Sequence, residues 1–193
     1  MITKTILIDI IDKGVNNHII TNTIDKGIIR KAINADLPKL ADVDCECNSV
    51  VINRLMLGRK EIIDALCKRF GEQNKEFYVY EIVNESKEGN KNKEILGYAT
   101  LKLEFPGYKN CELSWIAVRQ KYQHKGIGKK LVEFIEALTR KKGFRNIYAY
   151  TSEKENDKVQ GFYNRLEYKR INAFEDYYSD GTRAVLFGKK LNE

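Results

Sequence analysis

Gly126 and Gly128 stand two residues apart in the run Gln123-His124-Lys125-Gly126-Ile127-Gly128-Lys129, where an apolar segment ending at Val118 passes into an amphipathic one. Residues without a Cβ let a backbone approach an anion closely, and the first turn of a helix leaves its amides unpaired. Those amides lie at the positive end of the helix dipole, so a helix beginning near Ile127 is suited to phosphate oxygens. The plain alternative is a strand-to-helix turn with solvated lysines. Two other phosphate loops are excluded by spacing. The glycines lack the longer separation and the Lys-Ser/Thr ending of a Walker loop, and the third glycine of the dinucleotide fingerprint is missing.

Upstream of the turn lies Glu112-Leu113-Ser114-Trp115-Ile116-Ala117-Val118, and downstream lies Asn156, followed by Phe162-Tyr163 and Leu166-Glu167-Tyr168. Together these segments resemble the GNAT superfamily of acyl-CoA-dependent N-acetyltransferases. The turn is similar to that family's Q/R-x-x-G-x-G/A loop, the upstream run to the strand before it, and the downstream residues to its N-x-x-A-x-x-F-Y-x-x-x-G-F/Y helix. The resemblance spans roughly residues 28 to 191 and is densest from Glu112 to Tyr168. It implies acetyl-CoA as cosubstrate and no metal. Ile116, Ala117 and Val118 would meet the pantetheine arm, with one of their amides polarising the thioester carbonyl. Residues Gln123, His124, Lys125, Gly126, Ile127, Gly128 and Lys129 would hold the pyrophosphate, largely through main-chain donors. Asn156 would bond the pantetheine or order its helix, although a simple N-cap is an equal reading.

Acetyl transfer to an amine needs a neutral nucleophile and a protonated leaving thiolate. Tyr163 matches the family's tyrosine that protonates the sulfur. A phenol with a pKa near ~10 stays protonated at neutral pH and can donate to a thiolate of comparable basicity. Its bland role is half of a Phe162-Tyr163 core pair. Glu112 is the base candidate. It lies eleven positions before Gln123, as does the strand glutamate of the histone-acetyltransferase branch. An exposed glutamate near pKa ~4.3 is a poor base, so Glu112 must act through partial burial or through water. The ribosomal-protein alanine acetyltransferases place a glutamate five positions before the asparagine. That position is Thr151 here, which cannot serve, and Glu153 is displaced along the chain. The family's glycine after the helix is Glu167, which costs about 1 kcal/mol if the backbone there is left-handed.

The acceptor is left open. Tyr177-Tyr178-Ser179-Asp180-Gly181-Thr182-Arg183-Ala184 is similar to the Y-Y-x-D-G-x-x-A segment of protein N-terminal acetyltransferases, where hairpin tyrosines hold a peptide. This makes Tyr177 and Tyr178 substrate-binding candidates. An α-amino group with a pKa near ~8 asks less of a base than lysine does. Small amines (aminoglycosides, polyamines, amino acids), lysine side chains, and a non-catalytic acyl-CoA-binding module are the alternatives.

The 193-residue chain carries a formal charge of +7. From Arg119 to Arg145, nine Lys/Arg against Glu133 and Glu136 give 9 − 2 = +7, so this segment alone equals the chain's excess. Such a field would speed capture of a phosphorylated ligand. Nucleic acid is the rival partner, but no recognition motif accompanies the charge. No apolar run approaches the ~20 residues of a membrane span, and Asp9 and Asp12 interrupt the N-terminal isoleucines, so no signal peptide or membrane partner is expected. Cys45, Cys47, Cys67 and Cys111 form neither a disulfide framework nor a zinc pattern and suit a reducing cytoplasm.

These residues need elements to position them. The sequence predicts strands at 28–33, 77–83, 95–105, 112–118, 147–151, 168–174 and 184–189. It predicts helices opening at Asp36-Leu37-Pro38 with Asp36 as N-cap, near 59–70, from Ile127 to about Gly143, and at 157–166. Residues 84–94 read as a mobile polar hairpin loop. Residues 1–27 form an extension in which Thr5 to Ile11 and His18 to Ile24 could pair as a hairpin, with homodimer formation among its readings. The single domain of residues 28–193 is expected to be α/β (α+β) with the GNAT fold. That fold is a mixed, mostly antiparallel twisted sheet of about seven strands, flanked by about four helices and splayed between strands 4 and 5.

Overall fold

The computed structural model describes residues 27–47, 58–85 and 91–191; the expected N-terminal hairpin lies outside them. In chain order the strands are β1 (Gly27–Lys31), β2 (Lys75–Glu85), β3 (Lys91–Lys102), β4 (Asn110–Val118), β5 (Asn146–Ser152), β6 (Lys169–Phe174) and β7 (Ala184–Lys190). The helices are α1 (Leu37–Glu46), α2 (Arg59–Phe70), α3 (Ile127–Lys141) and α4 (Asn156–Arg165). The strands form one mixed sheet in the order β1-β2-β3-β4-β5-β7-β6, and the β4–β5 pair is parallel.

Each face of the sheet has its own core. On one side Leu131, Ile135 and Leu138 of α3 pack with Cys111, Leu113, Ile147, Ala149, Tyr163 and Phe187. Their spacing along α3 is the helical period that puts apolar residues on one stripe. Fully burying a side chain of this size contributes about 1.5–3 kcal/mol. On the other side Leu40, Ala41 and Val43 of α1 and Ile62 and Leu66 of α2 pack on Phe77, Val79, Ile95, Tyr98 and Ala117, which belong to β2, β3 and β4. Among the described residues no helix is long and apolar enough to cross a membrane.

Helix α2 covers the predicted span, but three local expectations are corrected. Strand β2 runs to Glu85 and β3 starts at Lys91, with Asn84 opposite Asn92 and Glu85 opposite Lys91. Residues 84–85 and 91–94 are therefore paired strand, because backbone pairing tolerates polar side chains; residues 86–90 lie outside the described residues. Strand β3 ends at Lys102, which places Phe105 in the turn that follows. Asp36 does not cap α1. Its carboxylate turns back to the Ile33 amide at 2.9 Å and to the Arg30 guanidinium at 2.7 and 2.9 Å. Arg30 also reaches the buried Glu81 at 2.5 Å, and its charge outcompetes the helix amides for Asp36.

Candidate active site

Strands β4 and β5 share three rungs, Asn110–Asn146, Cys111–Ile147 and Glu112–Tyr148, and then part. Two features force the fork. Ser114 is an extra residue in β4, since Thr100 pairs with Trp115 and Leu101 with Leu113; such a bulge bends its strand. Strand β5 meanwhile stays in register with β7 from Asn146 to Ser152. The second half of β4 is thus held by β3 on one edge and open on the other. Gly97 of β3 lets the end of β4 lie close, since a Cβ there would be 2.7 Å from the Ala117 carbonyl oxygen.

Past Val118 the chain makes a short turn at Gln120–Tyr122 and enters the glycine loop. His124 has φ 60° and Gly126 φ 83°, so two left-handed residues turn successive amides toward one side. Gly126 is the residue that precedes α3, and no side chain caps the helix. The Lys130 amide donates to the Gly126 carbonyl at 3.0 Å. Among the described residues, none accepts a hydrogen bond from the amides of residues 124–129. The floor of the loop is Gly128, where a Cβ would lie 3.4 Å from Phe162 of α4 and 3.8 Å from Ile116 of β4. Ile127 is buried beneath the turn, whereas His124, Lys125 and Lys129 are exposed. Loop, β4 terminus and α4 therefore converge.

Gln123 faces inward. Its side-chain nitrogen donates at 3.0 Å to the Cys47 carbonyl at the end of α1 and at 3.0 Å to the Val118 carbonyl. Glu94 lies 3.3 Å from the Lys121 ammonium and offsets a cation that the sequence count left unopposed. Lys129 lies 3.8 Å from Glu133, a pair already within that count, and Lys125 sits over the Tyr122 ring at 5.2 Å. Glu94 comes from β3, so no reading of the loop alone could have seen it. Of the β4 residues, Ile116 and Val118 pack toward α3 and Ala117 toward α1.

Tyr163 projects from α4 into the core, 4% exposed, with ring centroids 5.3 Å from Phe162, 5.3 Å from Tyr168 and 5.1 Å from Phe187. Asn156 is the first residue of α4; only its backbone is described. Glu167 after the helix has φ 66°, the left-handed geometry anticipated for that position.

Glu112 stands on the opposite face from Cys111 and Leu113, which belong to the α3 core. Burial raises its carboxyl pKa, and Lys102 and Lys75 pull the other way. Burial therefore makes it a stronger base than a free glutamate. Thr151 is buried, and Glu153 pairs with Arg183 at 3.1 Å, so neither competes for the role. Tyr177 and Tyr178 sit between β6 and β7 with ring centroids 5.2 Å apart. Tyr177 stacks on Tyr150 at 5.3 Å, which joins it to further rings running back to Glu112.

Those rings were missed in the sequence. The signal was present in the Tyr148-Ala149-Tyr150 alternation of β5, but Phe105 and Phe174 come from other segments. Asp44 of α1 was missed as well. Its carboxylate accepts from Tyr98 at 2.7 Å and from the Trp115 indole at 3.0 Å, fixing β4 against α1.

Comparison with known proteins agrees with this geometry. The model of the acetyltransferase (GNAT) family matches residues 39–168. No curated protein matches the chain in sequence. Among solved structures, a putative acetyltransferase of the GNAT family from Desulfovibrio desulfuricans superposes with TM-score 0.67 at 17% identity, covering 86% of this chain and 99% of that one. The ribosomal-protein-S18-alanine N-acetyltransferase of Escherichia coli gives TM-score 0.65 at 16% identity, covering 86% and 95%. The PaiA N-acetyltransferase of Thermoplasma acidophilum, solved with coenzyme A, gives 0.60 at 19%, covering 86% and 99%.

Proposed function

Because this chain belongs to the acetyltransferase (GNAT) family, we propose that it moves the acetyl group of acetyl-CoA to a primary amine, the α-amino group of a peptide or protein. The observation that carries this reading is the β4–β5 fork, with unpaired loop amides on the α3 side and Glu112 on the other face. Acetyl-CoA fits the first side. Among the described residues the amides of residues 124–129 meet no acceptor, and Gly128 leaves room against Phe162 and Ile116. The thioester would then enter the fork along the open edge of β4.

The amine approaches from the Glu112 face. Glu112, directly or through a water, takes the proton of the ammonium. The freed nitrogen forms a bond to the thioester carbonyl carbon, a β4 amide stabilises the oxygen, and the C–S bond breaks. Tyr163 gives the departing sulfur its proton, and the remaining extra proton of the new amide nitrogen is shed and restores the tyrosine hydroxyl. Tyr177 and Tyr178 hold the acceptor's backbone. The structurally similar E. coli protein is named for an alanine of a ribosomal protein, which favours a protein N-terminus among the acceptors.

The test is thiol release from acetyl-CoA with a panel of N-terminal peptides, blocked peptides bearing only lysine amines, polyamines and an aminoglycoside. Release on free N-termini is expected, and Gly126→Glu should abolish the calorimetric signal of acetyl-CoA by placing an anion in the turn. Tight cofactor binding with no release on any acceptor would make the chain a binding module instead.

A further inference from the structure

On the face opposite α3, Phe105, Tyr148, Tyr150, Phe174 and Tyr177 form a continuous aromatic wall whose near end is Glu112. Phe105 stacks on Tyr148 with centroids 4.5 Å apart and meets Tyr150 at 5.9 Å. Tyr150 in turn meets Phe174 at 5.9 Å and stacks on Tyr177 at 5.3 Å. Strand alternation puts Tyr148 and Tyr150 on this side, because Ile147 and Ala149 between them fill the α3 core. Glycine at 188 lets the wall lie flat, since a Cβ there would be 2.9 Å from the Tyr148 ring. Glu112 and Tyr148 are register partners, so the carboxylate and the first ring share one rung.

Among the described residues, the core built by α1 and α2 on this face draws on β2, β3 and β4 and stops short of the wall. Phe174 is 38% exposed and Tyr177 51%, a costly arrangement for rings that serve packing alone. The charged groups around the wall are largely paired. Lys102 is opposite Glu112 in register and Lys75 opposite Lys102, while the Lys75 ammonium is ion-paired with Glu72 at 2.8 Å. At the far end Lys154 lies 3.1 Å from Asp180, and Arg183 is shared by Glu153 at 3.1 Å and Glu175 at 2.8 Å. The wall's selectivity therefore comes from its apolar rings.

We propose that the acceptor's reacting amine is borne on a large apolar or aromatic group, which lies against this wall while the amine points at Glu112. For a peptide acceptor that group is the side chain of the first residue. The inference rests on the acetyl-transfer reading and narrows its substrate class, setting aside polyamines and aminoglycosides.

Phenethylamine, ethylamine and spermidine are titrated by NMR into the full chain, with and without coenzyme A. Phenethylamine should bind at least about tenfold more tightly than ethylamine, as burial of a phenyl group requires. Tyr150→Ala and Phe174→Ala should each weaken phenethylamine by about two- to tenfold and leave ethylamine within about twofold. Phe174 is 38% exposed, so its truncation is the milder test of the fold if Tyr150→Ala misfolds. Equal affinity for the two amines, tighter binding of spermidine, or unchanged affinity in both variants overturns the proposal. So does a wild-type dimer that Tyr150→Ala converts to monomer with phenethylamine binding intact, since the wall would then be an interface. Absence of coenzyme A binding removes the acetyl-transfer reading but leaves these amine titrations legible.

Discussion

Glu112 of β4 and Tyr148 of β5 are opposite each other on the last rung the two strands share. The carboxylate is therefore fixed at the apex of the fork, where a thioester entering from the α3 side and an amine from the aromatic side would meet. Its partial burial follows from this position, and so does its upward pKa shift.

Replacing Glu112 with Gln should lower kcat by about 10²-fold or more, the usual worth of a positioned base, with acetyl-CoA affinity unchanged. Because burial raises the carboxyl pKa, activity should fall as pH drops through a value above that of a free glutamate. Steady-state pH profiles of wild type and variant check this. The acid limb should disappear in Glu112→Gln, and its persistence would move the base elsewhere.

Tyr163→Phe keeps the ring packing against Phe162, Tyr168 and Phe187 and removes the hydroxyl. Turnover should drop by about 10²-fold while calorimetric binding of coenzyme A stays within about twofold. An undiminished rate would reduce Tyr163 to a core residue.

Asp44 predicts a pH-dependent stability. Burial pushes its carboxyl up to about 6, while hydrogen bonds from Tyr98 and Trp115 act the other way. The folded state therefore holds this proton more tightly than the unfolded chain does. That contribution is present in acid and is lost as pH climbs through about 6. Urea unfolding of wild type and Asp44→Asn at several pH values should show wild type losing on the order of 2–3 kcal/mol relative to the variant between about pH 4 and pH 7. A constant difference would mean the carboxyl titrates normally.

Glu167 occupies a left-handed backbone at φ 66°, and its carboxylate is 84% exposed and 3.6 Å from Lys189. An ion pair so exposed is worth little. Glu167→Gly should thus stabilise the protein by about 1 kcal/mol, raising Tm by roughly 3 °C in thermal denaturation. A lowered Tm would show that the side chain contributes more than its geometry costs.

The glycine turn and the helix after it were legible because their information is local. Gly126 supplies the left-handed residue before α3, and Ile127, Leu131, Ile135 and Leu138 announce the helix by their spacing. The fork was implied by resemblance alone, since a bulge at Ser114 leaves no mark in composition. What stayed hidden is what distant segments bring together. Glu94 offsets Lys121 from β3, Arg30 diverts Asp36 from its helix, and Phe105 of the turn after β3 and Phe174 of β6 meet Tyr150 of β5. Such pairings depend on sheet order, and the local pattern of a strand does not state its neighbours.

The Gln123 carboxamide clasps two carbonyls from separate parts of the chain, one at the end of α1 and one at the end of β4. The glycine turn is consequently tied to a helix on the far side of the sheet, and the ion pair of Arg119 with Glu46 makes a second tie beside it. A displacement of α1 would strain both side chains at once, and shortening Gln123 by one methylene to Asn would leave the Arg119 tie to act alone.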